Sequence, residues 1–335
     1  MAAIRKVVIA EFGDVDVVKV VDDVCPPPPP GHVQIAVEYA AFTGGDVNMR
    51  KGIYPFQKSP PFTPGYSLVG TVRANGEGCK AFQIGDVVTI LSKYDAEAQL
   101  VNQPEKYCVK VPDGVDHQQA TVLPCDWNTA YSMVMDTAKV SEGQRVFIHG
   151  ISGSVGTAIM TLCKLRGAEV YGTASERNHD DIRAYGSTPF VYTDKKWMDK
   201  MKEMGGAHAV FDPLGFDSFD ESFSILAPDG ILVAYGNNGR ALDGHNKSPT
   251  CHIIKMFARG LNPMNNKRTT FYGVFRQSST YKPHVTTLLN MVKDGTIKVP
   301  IKKIWDLEDI QSAHREWGTG SGIGSLLIRI PQKQG

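Results

Sequence analysis

Three glycines spaced three residues apart, Gly150, Gly153 and Gly156, separate a short apolar run, Val146 to His149, from a stretch where Val155, Ile159, Leu162 and Cys163 recur at helical spacing until Gly167. A strand-to-helix turn without side chains lets backbone amides approach a pyrophosphate and lets the helix pack on the strand. The chemistry on offer is dinucleotide binding, through Gly150, Ser152, Gly153, Ser154, Val155 and Gly156. The spacing is GxxGxxG, not GxGxxG, and an ordinary tight turn would carry the same glycines. Context decides for the cradle, because Glu169 to Thr173 reads as the second strand of a strand-helix-strand unit.

A ribose-reading side chain belongs about 20 residues past the glycines. An NAD site wants a carboxylate there; this chain has Ser175, Arg177, Asn178 and His179, with Glu176 as the one acid. Hydroxyl and guanidinium groups suit a 2'-phosphate dianion, which favours NADPH as the cofactor.

The elements that must position this cradle follow from the rest of the chain. At 335 residues two domains are expected. Residues 4 to 9 and 15 to 21 read as a hairpin around Gly13-Asp14, Pro26 to Pro30 as an extended connector, and Val33–Ala41, Leu68–Ala74, Val87–Leu91 and Tyr107–Val111 as strands. From Gln118 the pattern turns helical, and after the cradle short apolar runs at Ala209–Asp212 and Ile231–Tyr235 alternate with helices, one of them closed by Asp229-Gly230. That alternation argues for a doubly wound parallel sheet of the α/β class. Its ligand loops would be Asp212–Gly215, with Leu214, and Tyr235–Asn238, with Tyr235 and Gly236. Residues 239 to 268 read as a mobile excursion with a role in substrate access, and the last strands as a return to the first domain.

Composition excludes several classes. Lys plus Arg is 36 against 35 for Asp plus Glu, a net charge of +1, with no basic run to follow a polyanion, so nucleic acid is not an expected partner. No stretch reaches membrane-spanning length and no signal-peptide core precedes the first strand, so a soluble, cytoplasmic protein is expected. The cysteines are scattered without a CxxC pair, which argues against disulfides and against structural zinc.

With these pieces in place the chain resembles, over essentially its whole length, the medium-chain dehydrogenase/reductase superfamily, in the zinc-free branch of quinone oxidoreductases, enoyl reductases and vesicle-amine-transport-like proteins. The strings that carry the resemblance include Gly45-Asp46, Arg50-Lys51-Gly52-Ile53-Tyr54-Pro55, Thr63-Pro64-Gly65-Tyr66, Gly85-Asp86-Val87-Val88, Thr129-Ala130-Tyr131, His149 to Gly156 and Phe211 to Gly215. The resemblance implies a GroES-like β domain over 1–123 and 297–335, a Rossmann domain over 124–296 and a cleft between them. It also implies a homodimer and cofactor contacts at Thr129, Tyr192 and Phe275. Zinc-dependent relatives place Cys where Thr43 stands and Gly-His-Glu where Gly65-Tyr66-Ser67 stands, so no metal is expected.

The chemistry so implied is hydride delivery from NADPH to an activated double bond or a quinone, in a small to medium apolar electrophile. Tyr54 matches a candidate proton donor of enoyl-reductase relatives, with an aromatic wall of the cleft as its alternative role; Thr43 stands where quinone reductases often carry a substrate-orienting Asn. Two other functions stay open: a nucleotide-binding scaffold with little turnover, and an enoyl reductase of secondary metabolism acting on a polyketide-like substrate.

Overall fold

The computed structural model describes residues 1–239, 242, 250–261 and 266–332. They gather into two compact units: Met1–Asn128 with Phe275–Thr319 and Ser325–Gly335, and Thr129–Val274 with Gly320–Gly324.

The first unit is built on a seven-stranded sheet with the order Ile301–Asp306, Ser325–Arg329, His32–Phe42, Ser67–Asn75, Val87–Leu91, Val109–Lys110; Leu100–Pro104 also pairs with His32–Phe42. Ala2–Ile9 and Val18–Cys25 form a separate antiparallel pair, the hairpin expected around Gly13-Asp14. Apolar side chains, most of them β-branched or aromatic and among them Val33, Ile35, Phe42, Leu68 and Ile90, pack one core with Trp305 and Ile328 from the returning tail. Two elements were not foreseen: the strand Leu100–Pro104, whose polar residues hide its pattern, and the helix Gly44–Arg50, whose two leading glycines argue against helix.

The second unit carries a six-stranded parallel sheet, ordered Thr188–Val191, Glu169–Ala174, Arg145–His149, Ala207–Asp212, Leu226–Ala234, Arg268–Phe271. Val146, Phe147 and Ile148 are fully buried, as a central parallel strand requires. The strand order reverses between Arg145–His149 and Ala207–Asp212, the place where open α/β sheets bind ligands.

Three expectations change. Asp229-Gly230 lies inside the strand Leu226–Ala234, because the helix before it, Asp217–Ser224, has already ended. The helix Tyr281–Lys293, expected in the Rossmann segment, belongs to the first unit, where the Tyr281 hydroxyl accepts from Leu91 N at 2.8 Å. The excursion at 239–268 holds a helix, Thr250–Gly260; residues 240, 241, 243–249 and 262–265 lie outside the described residues. No helix among the described residues is long and apolar enough to cross a membrane.

Candidate functional site

The cradle in the second unit is made of backbone. The strand Arg145–His149 ends in Gly150 at φ +64°, where a Cβ would meet nothing within 4 Å. The turn closes through Gly153 N to Gly150 O at 2.9 Å, and the helix Ser154–Leu165 starts at Gly153 with no side chain capping it. The first-turn amides of Ser154, Val155 and Gly156 therefore keep their hydrogens for an anion. A Cβ on Gly156 would lie 2.3 Å from Gly150 O and 2.9 Å from the Ile151 Cα, so only glycine lets helix and turn approach this closely.

Behind the cradle lies a cavity of about 270 Å³, lined by His149, Thr173, Tyr192, Lys195, Trp197, Leu214, Phe216 and Glu221 among others. Gly150 N donates to Thr173 Oγ1 at 3.4 Å, and His149 Nδ1 lies 3.1 Å from that oxygen. With the Thr173 hydroxyl donating to Nδ1, the neutral ring carries its proton on Nε2. Burial holds the ring below its ordinary pKa and so neutral. Nε2 of His149 and Nε1 of Trp197 are buried without partners beside this cavity, donors that an acceptor-bearing ring would satisfy. Asp212, fully buried at the end of its strand, accepts from Leu214 N and from the Ser218 and Ser222 hydroxyls, each at 2.7 Å, and so fixes the lining loop.

The residues expected at a 2'-phosphate divide. Tyr192 is 54% exposed and lines the cavity with Leu214, while Ser175 is half-buried and caps nothing with its side chain. Arg177 and Asn178 also bind the tail and the cradle: Arg177 Nε donates to Gly320 O at 2.7 Å, Asn178 Nδ2 to Ser152 Oγ at 3.1 Å, and Asn178 Oδ1 accepts from Gly322 N at 3.0 Å. Gly324 N reaches Ser152 O at 3.1 Å, so residues 320–324 are tied onto the cradle. Tyr235 and Gly236 follow the strand Leu226–Ala234, with Tyr235 N donating to Asp212 O, but neither lines the cavity. Thr129 is buried in the helix Asn128–Tyr131, and Phe275 is 60% exposed and clusters with the first unit.

The first unit holds a cluster of titratable side chains around Tyr54. The Tyr54 hydroxyl donates to Tyr66 Oη at 2.9 Å, with ring centroids 5.8 Å apart. Burial raises both phenols, Tyr66 to about 12 and Tyr54 well beyond, so both are protonated at neutral pH. Thr43 is committed to the fold: it is the N-cap of the helix Gly44–Arg50, accepting from Gly45 N and donating to Asp46 Oδ2 at 3.0 Å. The hydroxyl at the expected substrate-orienting position is thus engaged in the cap and with Asp46. Asp46, fully buried, also accepts from Gly65 N at 3.1 Å and is pushed up to about 6 by burial. Glu97 is buried nearby with neither carboxyl oxygen partnered, and burial, then the Asp46 charge, raises it well above its ordinary value. Cys125 is raised by burial and then by the Asp126 and Asp46 carboxylates, which makes it a poor nucleophile. Sequence reasoning missed Tyr66, Asp46 and Glu97 as one cluster, since no spacing links positions so far apart.

Each unit has its counterpart among known proteins. Residues 29–123 match the family model described as alcohol dehydrogenase GroES-like domain, and residues 154–291 the one described as zinc-binding dehydrogenase. The mouse synaptic vesicle membrane protein VAT-1 homolog-like is 27% identical over 97% of this chain and 81% of its own length. Human quinone oxidoreductase is 27% identical over 97% of each. A mycobacterial protein solved in complex with NADPH shares the fold with a TM-score of 0.84 at 23% identity, covering 97% of this chain and 99% of that one. Two such units in this order define an oxidoreductase fold. These matches together support the medium-chain dehydrogenase/reductase superfamily for this chain, with the quinone oxidoreductase branch among its relatives.

Proposed function

We propose that the protein is an NADPH-dependent reductase that transfers a hydride to an activated carbon–carbon double bond or a quinone without a metal. The observation that carries this reading is the uncapped helix N-terminus behind Gly150, a backbone cradle that Gly156 keeps open. The residues present fit a dinucleotide: cradle amides for the pyrophosphate, the cavity lined by Tyr192, Leu214 and His149 for the adenine, and Ser175 with the Arg177 guanidinium for the 2'-phosphate. The bound cofactor supplies the hydride. This chain's own part is to hold a proton at the Tyr54–Tyr66 pair and to keep apolar surroundings for an apolar electrophile. Metal independence is supported by the donor set, since Thr43 and Tyr66 stand where a thiolate and an imidazole would be needed.

The test pairs fluorescence titrations of NADPH and NADH, wild type against Arg177→Ala, with an absorbance assay over enones, enals and quinones. NADPH should bind more tightly, the variant should lose roughly tenfold of that preference, one charge-assisted hydrogen bond, and at least one electrophile should be reduced. Failure to bind either nucleotide, or to consume any electrophile, overturns the reading. The engagement of Thr43 with Asp46 favours a second one, a nucleotide-binding scaffold. Tight NADPH binding with no electrophile consumed would select it.

A further inference from the structure

A phenol has one proton to give, and in the Tyr54–Tyr66 pair the two protons are not equally placed. Tyr54 is the more desolvated ring and has Tyr66 Oη as its hydroxyl partner. Tyr66 accepts that bond, and its own hydroxyl hydrogen has no acceptor among the described residues while the side chain is only half-buried. A phenol that accepts a hydrogen bond is the stronger acid of the two, because its phenolate keeps the bond. Two features hold the pair in register. Tyr66 O accepts from Ser92 N at 2.9 Å and from Lys93 N at 3.2 Å, and Gly45, whose Cβ would lie 3.5 Å from Tyr54 Cε2, leaves room for the Tyr54 ring beside Thr43.

We infer that Tyr66 is the hydroxyl that protonates the reacting carbonyl oxygen, with Tyr54 as the donor that steadies it, an assignment that rests on the reductase reading above. The hydride forms a C–H bond at the β-carbon of the enone, and the former double-bond pair becomes the enolate double bond. The carbonyl oxygen takes the Tyr66 proton, giving an enol that tautomerises to the saturated ketone. The two electrons leave the reduced nicotinamide as that hydride, and the Tyr66 phenolate, held by the Tyr54 hydroxyl, regains a proton from water. A quinone uses the same proton to reach the hydroquinone. The other titratable groups facing Tyr66 are Cys125, Tyr94 and Asp46, and all three act to hold the Tyr66 proton on its hydroxyl until the carbonyl oxygen takes it.

The test uses the full chain, Tyr66→Phe and Tyr54→Phe, with NADPH titration as the check that each variant is folded. One readout needs no cofactor: the infrared carbonyl stretch of isotopically labelled benzylacetone, the saturated product of benzylideneacetone. A hydrogen-bonded, lowered band is expected in wild type, a band at the unbonded frequency in Tyr66→Phe and a smaller lowering in Tyr54→Phe. In turnover of benzylideneacetone, Tyr66→Phe should lose on the order of 10²-fold in kcat with KM nearly unchanged. Tyr54→Phe should lose roughly tenfold, one hydrogen bond to a developing charge. A Tyr66→Phe enzyme with wild-type kcat or a still-lowered band overturns the assignment, and a larger loss in Tyr54→Phe reverses the two roles and overturns it as well. A wild type that oxidises no NADPH with any electrophile sinks the reductase reading instead, and the carbonyl band still decides Tyr66.

Discussion

The two candidate sites are built from opposite materials. The cradle at Gly150–Gly156 uses main chain: a left-handed glycine, an uncapped helix and amides that carry no formal charge. The tyrosine cluster uses side chains brought from four separate stretches, Thr43–Tyr54, Gly65–Tyr66, Glu97 and Cys125, and much of its chemistry comes from burying groups that would rather be solvated. A backbone site is damaged by volume and is nearly indifferent to pH. A site of buried acids tolerates volume better and carries its weakness in pH.

The largest effect is expected at Gly156→Ala. The added Cβ would sit 2.3 Å from a main-chain carbonyl oxygen that belongs to the same turn, so no side-chain rotation relieves it. Forcing that contact should cost about 3 kcal/mol of stability and weaken NADPH binding by more than about tenfold, since the turn and the helix N-terminus can no longer meet. Gly153→Ala is the control: its Cβ would lie 3.3 Å from Gly150 O at an ordinary φ of −76°, and it should cost only a fraction of that. Equal losses in thermal melts and titrations of the two variants would show that the cradle's glycines serve flexibility and not close approach.

The same contrast explains what was legible in the sequence. Glycine spacing between a strand and a helix announces the cradle because the physics is local: three positions and one turn. The alternating strands of the first unit and the parallel sheet of the second were legible for the same reason, through periodicity and turn residues. The side-chain site was not. Tyr54 was singled out only through resemblance, while Tyr66 lies in a strand-end turn with no periodic tie to it, and Glu97 looks like any loop acid until burial is known. Asn178 shows a different limit: its amide binds Ser152 and the tail, a long-range contact that no local pattern encodes. Asp229-Gly230 read as a helix stop because turn dipeptides also occur within irregular strands.

A smaller effect is expected from pH, at the buried acids of the first unit. Glu97 is held protonated in the fold, and its folded pKa lies above the unfolded value of 4.5. Its favourable contribution is therefore complete below about pH 4 and is lost as pH rises toward the folded value, because the unfolded chain releases the proton first. Glu97→Gln keeps the shape and cannot ionise, so it should stabilise the protein by about 1–3 kcal/mol at pH 8, the penalty of a buried unsatisfied group, and by clearly less at pH 5. Asp46 behaves with the same sign. Its rise from 3.8 to about 6 corresponds to about 3 kcal/mol lost between those values, and that slope should survive in Glu97→Gln. Thermal unfolding of both proteins across pH 4 to 8 decides it. A stability gain that does not grow with pH would mean that Glu97 is already ionised in the fold.

The smallest effect is expected where the first unit has its own close-packed glycine. Gly45 lies inside the helix Gly44–Arg50, and a Cβ there would meet the Thr43 hydroxyl at 3.1 Å and the Tyr54 ring at 3.5 Å. The nearer neighbour is a side-chain oxygen that can give by a few tenths of an ångström, at the cost of a looser bond to Asp46. Against that cost stands the gain of replacing glycine within a helix, about 0.5–1 kcal/mol. The two nearly cancel, so Gly45→Ala should shift thermal stability by less than about 1 kcal/mol, where Gly156→Ala is severe. The same chemical change thus separates a glycine pressed on main chain from one pressed on side chains. Because the new methyl group pushes toward Tyr54, it should also move the Tyr54–Tyr66 hydrogen bond. The checks are the unfolding curve and the carbonyl band of bound benzylacetone. A loss of stability as large as that of Gly156→Ala would mean that the tyrosine region is as unyielding as the cradle, and the distinction between the two sites would fall.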